Sequence, residues 1–185
     1  MAKKVAIVVG SLRKGSFSRL VAKTCVELAP DSLSFEFIDI GKVSLYNQDQ
    51  DTDNPPASWK ELRDAIRPLD AVLFFTPEYN RGMPGMLKNA IDIASRPYGK
   101  SAWDGKPCAV VSVSPGAMGA FGANHHLRQS LVFLNMPAMP QPEAYVGNAA
   151  KMFDEGGKMT NDATREFLKK FMATYAVWVA RHTPQ

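Results

Sequence analysis

The chain contains four short apolar runs, rich in β-branched and aromatic residues, that are separated by amphipathic segments. The runs are residues 5–9 (VAIVV), 33–40 (LSFEFIDI), 71–76 (AVLFFT) and 108–114 (CAVVSVS). Three of the four are nearly continuously apolar, which indicates strands buried on both faces, as in a parallel sheet covered by helices. Repeated strand–helix units of this length predict a doubly wound α/β fold with right-handed crossovers.

Five further segments have the periodicity of amphipathic helices. The first follows Ser16, which is a suitable N-cap residue, and the second ends near Pro68. Pro84 stands where a first-turn proline belongs in the third helix, and Pro137 closes the fourth. The fifth helix is C-terminal, and a fifth strand is predicted within residues 138–146. Strands and helices therefore alternate along the chain.

The length and composition are those of one globular domain. The chain has 185 residues, of which 45% are hydrophobic and 22% are charged. The polar, proline-rich segment 46–57 is interpreted as a long surface loop, so residues 1–185 are predicted to form a single domain. The net charge of +4 is spread along the chain, so nucleic-acid binding is not expected.

Cysteine usage and hydropathy indicate the compartment. Cys25 and Cys108 are far apart and form no C-x-x-C motif, which predicts two buried, reduced thiols. The apolar run near the N-terminus is too short for a signal peptide, and no apolar span of about 18 residues follows it. We therefore expect a cytoplasmic protein that does not associate with membranes.

Three loops of unusual composition follow predicted strands: residues 10–18, 76–85 and 114–124. Each contains more glycine, proline or polar residues than a simple connection needs. In a doubly wound sheet, ligands bind beyond the carboxyl ends of the strands, where the chain order reverses. The sequence therefore predicts that the three loops converge on one ligand site.

The first loop, GSLRKGSFS, has the composition of an anion site. It lacks the G-x-G-x-x-G pattern of dinucleotide loops, and Ser16 and Phe17 stand where a triphosphate loop has Lys and Ser/Thr. A single terminal phosphate fits best, because serine hydroxyls, the Arg13 guanidinium and free helix N–H groups can all donate to it. The alternative is a serine- and glycine-rich turn that only caps a helix.

The second and third loops indicate what the phosphate carries. In the second loop, the backbone after Pro77 can hydrogen-bond the edge of a flat heteroaromatic group, and the Tyr79 ring can cover its face. The alternative is a turn with a surface tyrosine. The third contains Gly116, Gly119 and Gly122, which either close on the other side of a planar ligand or form a mobile connection. A flat ring system with one phosphate describes flavin mononucleotide (FMN).

Three motifs resemble those of the NAD(P)H-dependent FMN reductase family, in particular its quinone reductase/chromate reductase branch: GSLRKGSFSR, TPEYN…PGMLKNAID and SPGAMGAFG…HLRQ. The resemblance extends from Val5 to the C-terminal helix. It implies a flavodoxin-like fold, with a doubly wound five-stranded parallel sheet in the order 2-1-3-4-5 and helices on both faces. It also implies bound FMN and homodimers, or homotetramers built as pairs of dimers.

The same resemblance implies which residues bind FMN. Ser11, Arg13, Ser16 and Ser18 would hold the phosphate, and Leu12 and Phe17 belong to the same cofactor-binding loop. The residues implied near the isoalloxazine ring come from the other two loops: Pro77, Glu78, Tyr79, Asn80, Ser114 and Gly116. The residues predicted to contact substrate are Tyr79, Arg81 and Arg96. Arg96 would reach a nicotinamide phosphate or an anionic acceptor such as chromate, although an arginine that meets a helix dipole is the favoured alternative.

The implied reaction is a two-electron, ping-pong reduction of quinones by NADPH or NADH, with chromate, azo compounds or free flavin as further acceptors. It needs no catalytic side chain, because N5 of the flavin carries the hydride. No metal site is expected, because His125 and His126 would point about 100° apart on a helix. The apolar sides of the helices at 84–94 and 123–134 are candidates for the dimer contact.

The alternative function is a flavodoxin-like electron carrier, or an FMN-binding protein without NAD(P)H turnover of its own. The net positive charge argues against such a carrier, which is expected to be acidic. A phosphate-binding hydrolase on the same fold would need a nucleophile or a carboxylate pair at the strand ends, and Glu78 alone does not supply one.

Overall fold

The computed structural model describes residues 1–183, which form a five-stranded sheet and five α-helices. The strands are β1 (Lys3–Val9), β2 (Leu33–Ile38), β3 (Ala71–Thr76), β4 (Cys108–Val113) and β5 (Ala144–Val146). The helices are α1 (Phe17–Leu28), α2 (Ala57–Ile66), α3 (Gly85–Ala94), α4 (Phe121–Phe133) and α5 (Asp162–His182). Single 3₁₀ turns span Gln48–Gln50 and Ala149–Lys151.

The strands lie in the order β2-β1-β3-β4-β5, and each neighbouring pair is parallel. The predicted flavodoxin-like order is therefore confirmed. The register places Val9 beside Phe75 and Thr76 beside Ser112, so the carboxyl ends of β1, β3 and β4 lie at one edge. The three loops that follow these strands consequently start side by side.

Alternate residues of the central strands point to opposite faces of the sheet and build two apolar cores. On one face, Ile7 and Leu73 pack with α1 and α5, and on the other, Val8 and Phe74 pack with α2, α3 and α4. Every residue of β3 and β4 is buried, which explains their continuously apolar sequences. The edge strand β2 exposes Glu36, in keeping with its more polar sequence.

The element boundaries follow the local signals with small differences. Ser16 caps α1 as predicted, because its hydroxyl oxygen accepts the Arg19 N–H at 3.2 Å. Pro84 is the N-cap of α3 rather than its first helical residue, and α2 ends at Ile66, two residues before Pro68. β5 has only three residues, since the prolines before it cannot donate to a sheet ladder.

The two cysteines are buried free thiols, as predicted. Cys25 belongs to the core beneath α1 and α5, and Cys108 belongs to the core on the other face. Burial raises the pKa of the Cys25 thiol well above its usual range and that of Cys108 to about 12. Neither thiol is therefore a reactive thiolate at neutral pH.

Among the described helices, none combines the length and the apolar composition that crossing a bilayer would require.

Candidate functional site

The three loops converge as predicted, at the carboxyl edge of β1, β3 and β4, and border a cavity of about 200 Å³. Its lining includes most of the residues predicted to bind the cofactor: Ser11, Arg13, Ser16, Phe17, Ser18, Pro77, Glu78, Tyr79 and Ser114. Val113 and Pro115 complete the lining. They were not predicted, because in the sequence they are an ordinary strand end and an ordinary turn residue.

The first loop supplies this cavity with hydrogen-bond donors that have no partner in the protein. Ser11 and Ser18 are 4% and 2% exposed, yet their hydroxyls form no hydrogen bond within residues 1–183. The N–H groups of Phe17 and Ser18, at the start of α1, also have no acceptor among the described residues. The Arg13 side chain forms no ion pair within residues 1–183. Donors that line a cavity without a partner in the protein suit a polar ligand, and a helix N-terminus beside a guanidinium favours an anion. The loop therefore fits the phosphate of FMN.

The first loop also caps a helix, as its alternative interpretation proposed. The Ser16 oxygen accepts the Arg19 N–H, whereas Ser11 and Ser18 take no part in the cap. A loop that served only as a cap would not need two further serines that line a cavity and have no hydrogen-bond partner in the protein. The capping interpretation is therefore correct for Ser16 and does not account for the other two serines.

The second loop contains a tight turn that was not predicted from the sequence. Tyr79 and Gly82 exchange two backbone hydrogen bonds of 3.0 Å, and the two central residues, Asn80 and Arg81, have φ values of 51° and 68°. These are the features of a type I′ turn, whose second central residue is usually glycine. The Tyr79 backbone groups therefore close the turn instead of facing a ring, while its half-exposed side chain lines the cavity.

Glu78 joins the second loop to the third. Its Oε2 accepts the N–H of Ala123 at 3.0 Å, and its Oε1 lies 3.5 Å from Nη1 of Arg81. The N-cap residue of α4 provides no side-chain cap, so the Glu78 carboxylate satisfies an N–H group of the first turn and opposes the positive end of the helix dipole. This second role was not predicted, because the partner is 45 residues away in sequence.

A buried polar network holds the third loop in place. The Ser112 hydroxyl donates to the Gly119 carbonyl at 2.7 Å, and Nδ2 of Asn124 donates to the Ser112 oxygen at 3.1 Å. The Ser114 hydroxyl donates to the Gly116 carbonyl at 2.9 Å. Satisfied networks of this kind rigidify their surroundings, which favours a fixed loop over a mobile connection. Ser112 and Asn124 were missed because they occur singly within a strand and a helix.

Four residues predicted for the site lie beside the cavity rather than in its lining: Leu12, Asn80, Arg81 and Gly116. Leu12 is 51% exposed, and its side chain packs close to Gly41 in the loop after β2. Asn80 and Arg81 are exposed at the tip of the type I′ turn. Gly116 shapes the third loop, because its carbonyl accepts the N–H of Asn148 at 3.0 Å.

Arg96 lies apart from this cavity within the chain. α3 starts just after the second loop and runs for 10 residues before Ser95 and Arg96, a length of about 15 Å. The Arg96 guanidinium carbon lies 6.0 Å from the ring centroid of Tyr98, and both residues line a different cavity. This position at the end of α3 is the one that the helix-dipole alternative described.

His125 and His126 point to different partners. Nε2 of His125 lies 3.0 Å from the Tyr145 hydroxyl, and Nδ1 of His126 accepts the Met83 N–H at 3.3 Å. Among residues 1–183, no group of three or more His, Cys, Asp or Glu side chains is arranged to hold a metal ion. The two histidines instead connect α4 to β5 and to the start of α3.

The sequence model of the NADPH-dependent FMN reductase family matches residues 3–151, a range that includes all three loops. The chain belongs to this family. The family predicted from the three motifs is therefore confirmed, and with it an oxidoreductase that uses FMN and NAD(P)H.

Individual relatives of this FMN reductase family member cover nearly its whole length. A quinone reductase of Pseudomonas putida is 62% identical over 175 residues, which are 95% of this chain and 94% of the relative. A 2-hydroxy-1,4-benzoquinone reductase of Burkholderia sp is 46% identical, with 97% of each chain covered. The solved structure of FerB, a flavoenzyme NAD(P)H:(acceptor) oxidoreductase of Paracoccus denitrificans, is 42% identical, with a TM-score of 0.92 and coverage of 99% and 100%.

Proposed function

We propose that this family member is an FMN-dependent NAD(P)H:quinone oxidoreductase that reduces its acceptor by two electrons. The observation that carries the proposal is the cavity in which unpaired phosphate donors and the half-exposed Tyr79 ring occur together. When bound, FMN supplies a redox-active ring that accepts a hydride from NAD(P)H and delivers two electrons to an acceptor. Relatives that are quinone reductases favour a quinone as that acceptor.

The protein's contribution is binding and orientation. Ser11, Ser18, Arg13 and the first N–H groups of α1 would hold the phosphate. Pro77, Tyr79 and Ser114 would line the ring. Glu78 would hold the second and third loops together through its hydrogen bond from the Ala123 N–H. Leu12, Phe17, Asn80 and Gly116 complete the proposed binding loops. Holding two flat reactants in contact lowers the barrier without a nucleophile, since orientation alone can supply several kcal/mol.

A visible spectrum tests the function. The purified protein should show oxidised-flavin bands at about 370 and 450 nm, which bleach when NADPH or NADH is added without oxygen and return when benzoquinone follows. Flavin bands that do not bleach with either NADPH or NADH would favour an electron carrier or a binding protein. A colourless protein that takes up no added FMN would overturn the cofactor assignment. Chromate, azo compounds and free flavin can replace benzoquinone in the same cuvette.

A pair of variants tests the phosphate assignment. Arg13→Ala should weaken FMN binding about ten-fold, the effect of losing one charge-assisted hydrogen bond, and Ser18→Ala should weaken it less. Lys23→Ala is the matched control, because Lys23 lies on the exposed side of α1 and its loss changes the net charge equally. FMN affinity is measured by the quenching of flavin fluorescence. Equal affinity in Arg13→Ala and Lys23→Ala would contradict the assignment.

We also propose that the enzyme forms homodimers, or tetramers of paired dimers, through the exposed side of α4. Phe121, Val132 and Phe133 are 46%, 76% and 80% exposed, although the same helix buries Leu127 and Leu131 on its other side. A helix that is apolar on two sides is usually covered on both. Light scattering should give a dimer or tetramer for the wild type and a smaller species for Phe133→Asp. A monomeric wild type would overturn this part of the proposal.

A further inference from the structure

Arg81 has a backbone conformation that is unfavourable for arginine. It is the second central residue of the type I′ turn from Tyr79 to Gly82, with φ of 68°. Both central residues of such a turn need positive φ, and glycine is the usual second residue because it has no Cβ to strain. Asparagine, as at position 80, tolerates this region far better than a long side chain does. Arginine at position 81 therefore costs stability.

The contacts of Arg81 within the protein do not offset that cost. Its side chain is 81% exposed, and its ion pair with Oε1 of Glu78, at 3.5 Å, is long. Exposed ion pairs contribute little to stability. The other oxygen of Glu78 is already bonded to Ala123, so the carboxylate does not depend on Arg81 for its position. Strained residues without a structural benefit are concentrated at functional sites.

The location of Arg81 indicates the ligand. The residue follows Glu78 and Tyr79, which line the cavity, and Nη1 of its exposed guanidinium lies 3.5 Å from Oε1 of Glu78. A guanidinium presents a planar fork of donors that matches the oxygens of a phosphate. The dinucleotide donor carries a pyrophosphate and, in NADPH, a further 2′-phosphate.

We propose that Arg81 binds a phosphate group of the dinucleotide donor at the rim of the cavity, and that this binding is the function of an arginine in a strained turn. This inference rests on the proposed function. The 2′-phosphate is the expected contact, because Arg81 lies outside the cavity that receives the reactive ring. A contact with the 2′-phosphate would make the enzyme selective for NADPH over NADH, whereas a contact with the pyrophosphate would not.

Three variants test the inference. Arg81→Gly removes the charge and also the strain, and Arg81→Lys keeps the charge but loses the fork. Arg181→Gln removes one exposed positive charge from the last turn of α5 and is the control for long-range attraction of the donor. For each, kcat/KM is measured for NADPH and for NADH with benzoquinone as the acceptor. Isothermal titration of 2′,5′-ADP and of 5′-AMP measures binding without turnover.

The expected result combines a gain in stability with a loss of selectivity. Arg81→Gly should raise Tm by about 2–4 °C in the FMN-free protein, because strain is released. It should lower kcat/KM for NADPH at least ten-fold, weaken 2′,5′-ADP binding equally, and leave NADH and FMN affinity unchanged. Arg81→Lys should show an intermediate selectivity with no gain in Tm. An equal loss for NADPH and NADH would also support the inference and assign the pyrophosphate.

Two results would overturn the inference. One is an unchanged kcat/KM for both donors in Arg81→Gly. The other is a lower Tm together with weaker FMN binding, which would make Arg81 a structural residue. If the wild type oxidises neither donor, the proposed function fails, and the inference is then decided by the titrations: equal binding of 2′,5′-ADP by the wild type and Arg81→Gly would reject it.

Discussion

Oε2 of Glu78 accepts the backbone N–H of Ala123 at 3.0 Å, which ties the loop after β3 to the first turn of α4. Both loops border the cavity, so this hydrogen bond contributes directly to the distance between two of its walls. Ala120, the N-cap residue of α4, has a left-handed conformation and no side-chain cap bond. A carboxylate from a neighbouring loop therefore takes the place of a local cap.

Replacing Glu78 separates its acceptor role from its charge. Glu78→Ala should lower the free energy of unfolding by about 1–2 kcal/mol, since a helix N–H loses its acceptor, and should weaken FMN binding because the two loops separate. Glu78→Gln keeps an acceptor oxygen and should lose less than half as much. Urea denaturation and an FMN titration measure the two effects. Equal losses in the two variants would show that the hydrogen bond is not what matters.

Gly122 makes room for the Glu78 carboxylate. A Cβ at position 122 would lie 3.0 Å from Oε2 of Glu78 and 3.0 Å from the carbonyl oxygen of Arg81. Gly122→Ala should therefore destabilise the fold by about 1–3 kcal/mol, because the backbone of Arg81 cannot easily move away. Gly85→Ala is the control, since nothing lies within 4 Å of its Cβ position, and it should be neutral or slightly stabilising. Thermal denaturation compares the two, and similar Tm values would refute the steric explanation.

The segment before α2 is anchored by a buried ion pair. Nη2 of Arg63 lies 2.8 Å from Oδ1 of Asp51, and the two side chains are only 4% and 6% exposed. Asp51→Ala leaves the arginine charge buried without a partner and should cost about 3–5 kcal/mol. Asp64→Ala is the matched control, because Asp64 pairs with Lys60 and Arg67 at the surface, and it should change stability by less than about 1 kcal/mol. Urea denaturation measures the free energy of unfolding of both variants. Equal decreases in the two would contradict the conclusion that burial makes the Asp51–Arg63 ion pair important.

The buried thiols predict how stability depends on alkaline pH. Burial raises the pKa of Cys108 from its usual 9.0 to about 12, and raises that of Cys25 further. The folded protein keeps these protons while the unfolded chain loses them, so their contribution is complete below about pH 9 and is lost as the pH rises towards 12. Each thiol should lower the free energy of unfolding by about 1.4 kcal/mol per pH unit in that interval.

Urea denaturation at several pH values between 9 and 10 measures this slope, and comparison with Cys108→Ala removes the contribution of tyrosines, which also start to ionise in the unfolded chain in this range. Cys108→Ala should reduce the slope by about 1 kcal/mol per pH unit, since the unfolded thiol is only partly ionised in this range, and should leave the pH dependence below pH 8 unchanged. A slope that does not change in Cys108→Ala would mean that the thiol ionises freely in the folded state.

The elements and the first loop were predictable because their signals are local. The continuous apolar runs became β3 and β4, in which every residue is buried, and Ser16 became the N-cap of α1. The serines and the arginine of residues 11–18 were predicted to bind phosphate from the chemistry of phosphate binding alone. Strand order and the family came from motif resemblance, and both are confirmed.

The sequence by itself determined the strands, the helices and the composition of the binding loops. Backbone geometry gives each type of element its own hydrophobic period, and that period can be read from residues close together in the chain. Only the tertiary structure decided which residues meet. It paired Glu78 with Ala123 and Asp51 with Arg63, and it placed Arg96 beyond the end of α3. It also showed that Asn80 and Arg81 form a type I′ turn, which no glycine had marked. These relationships depend on where the crossover connections bring distant segments together, and no local pattern of residues encodes that position.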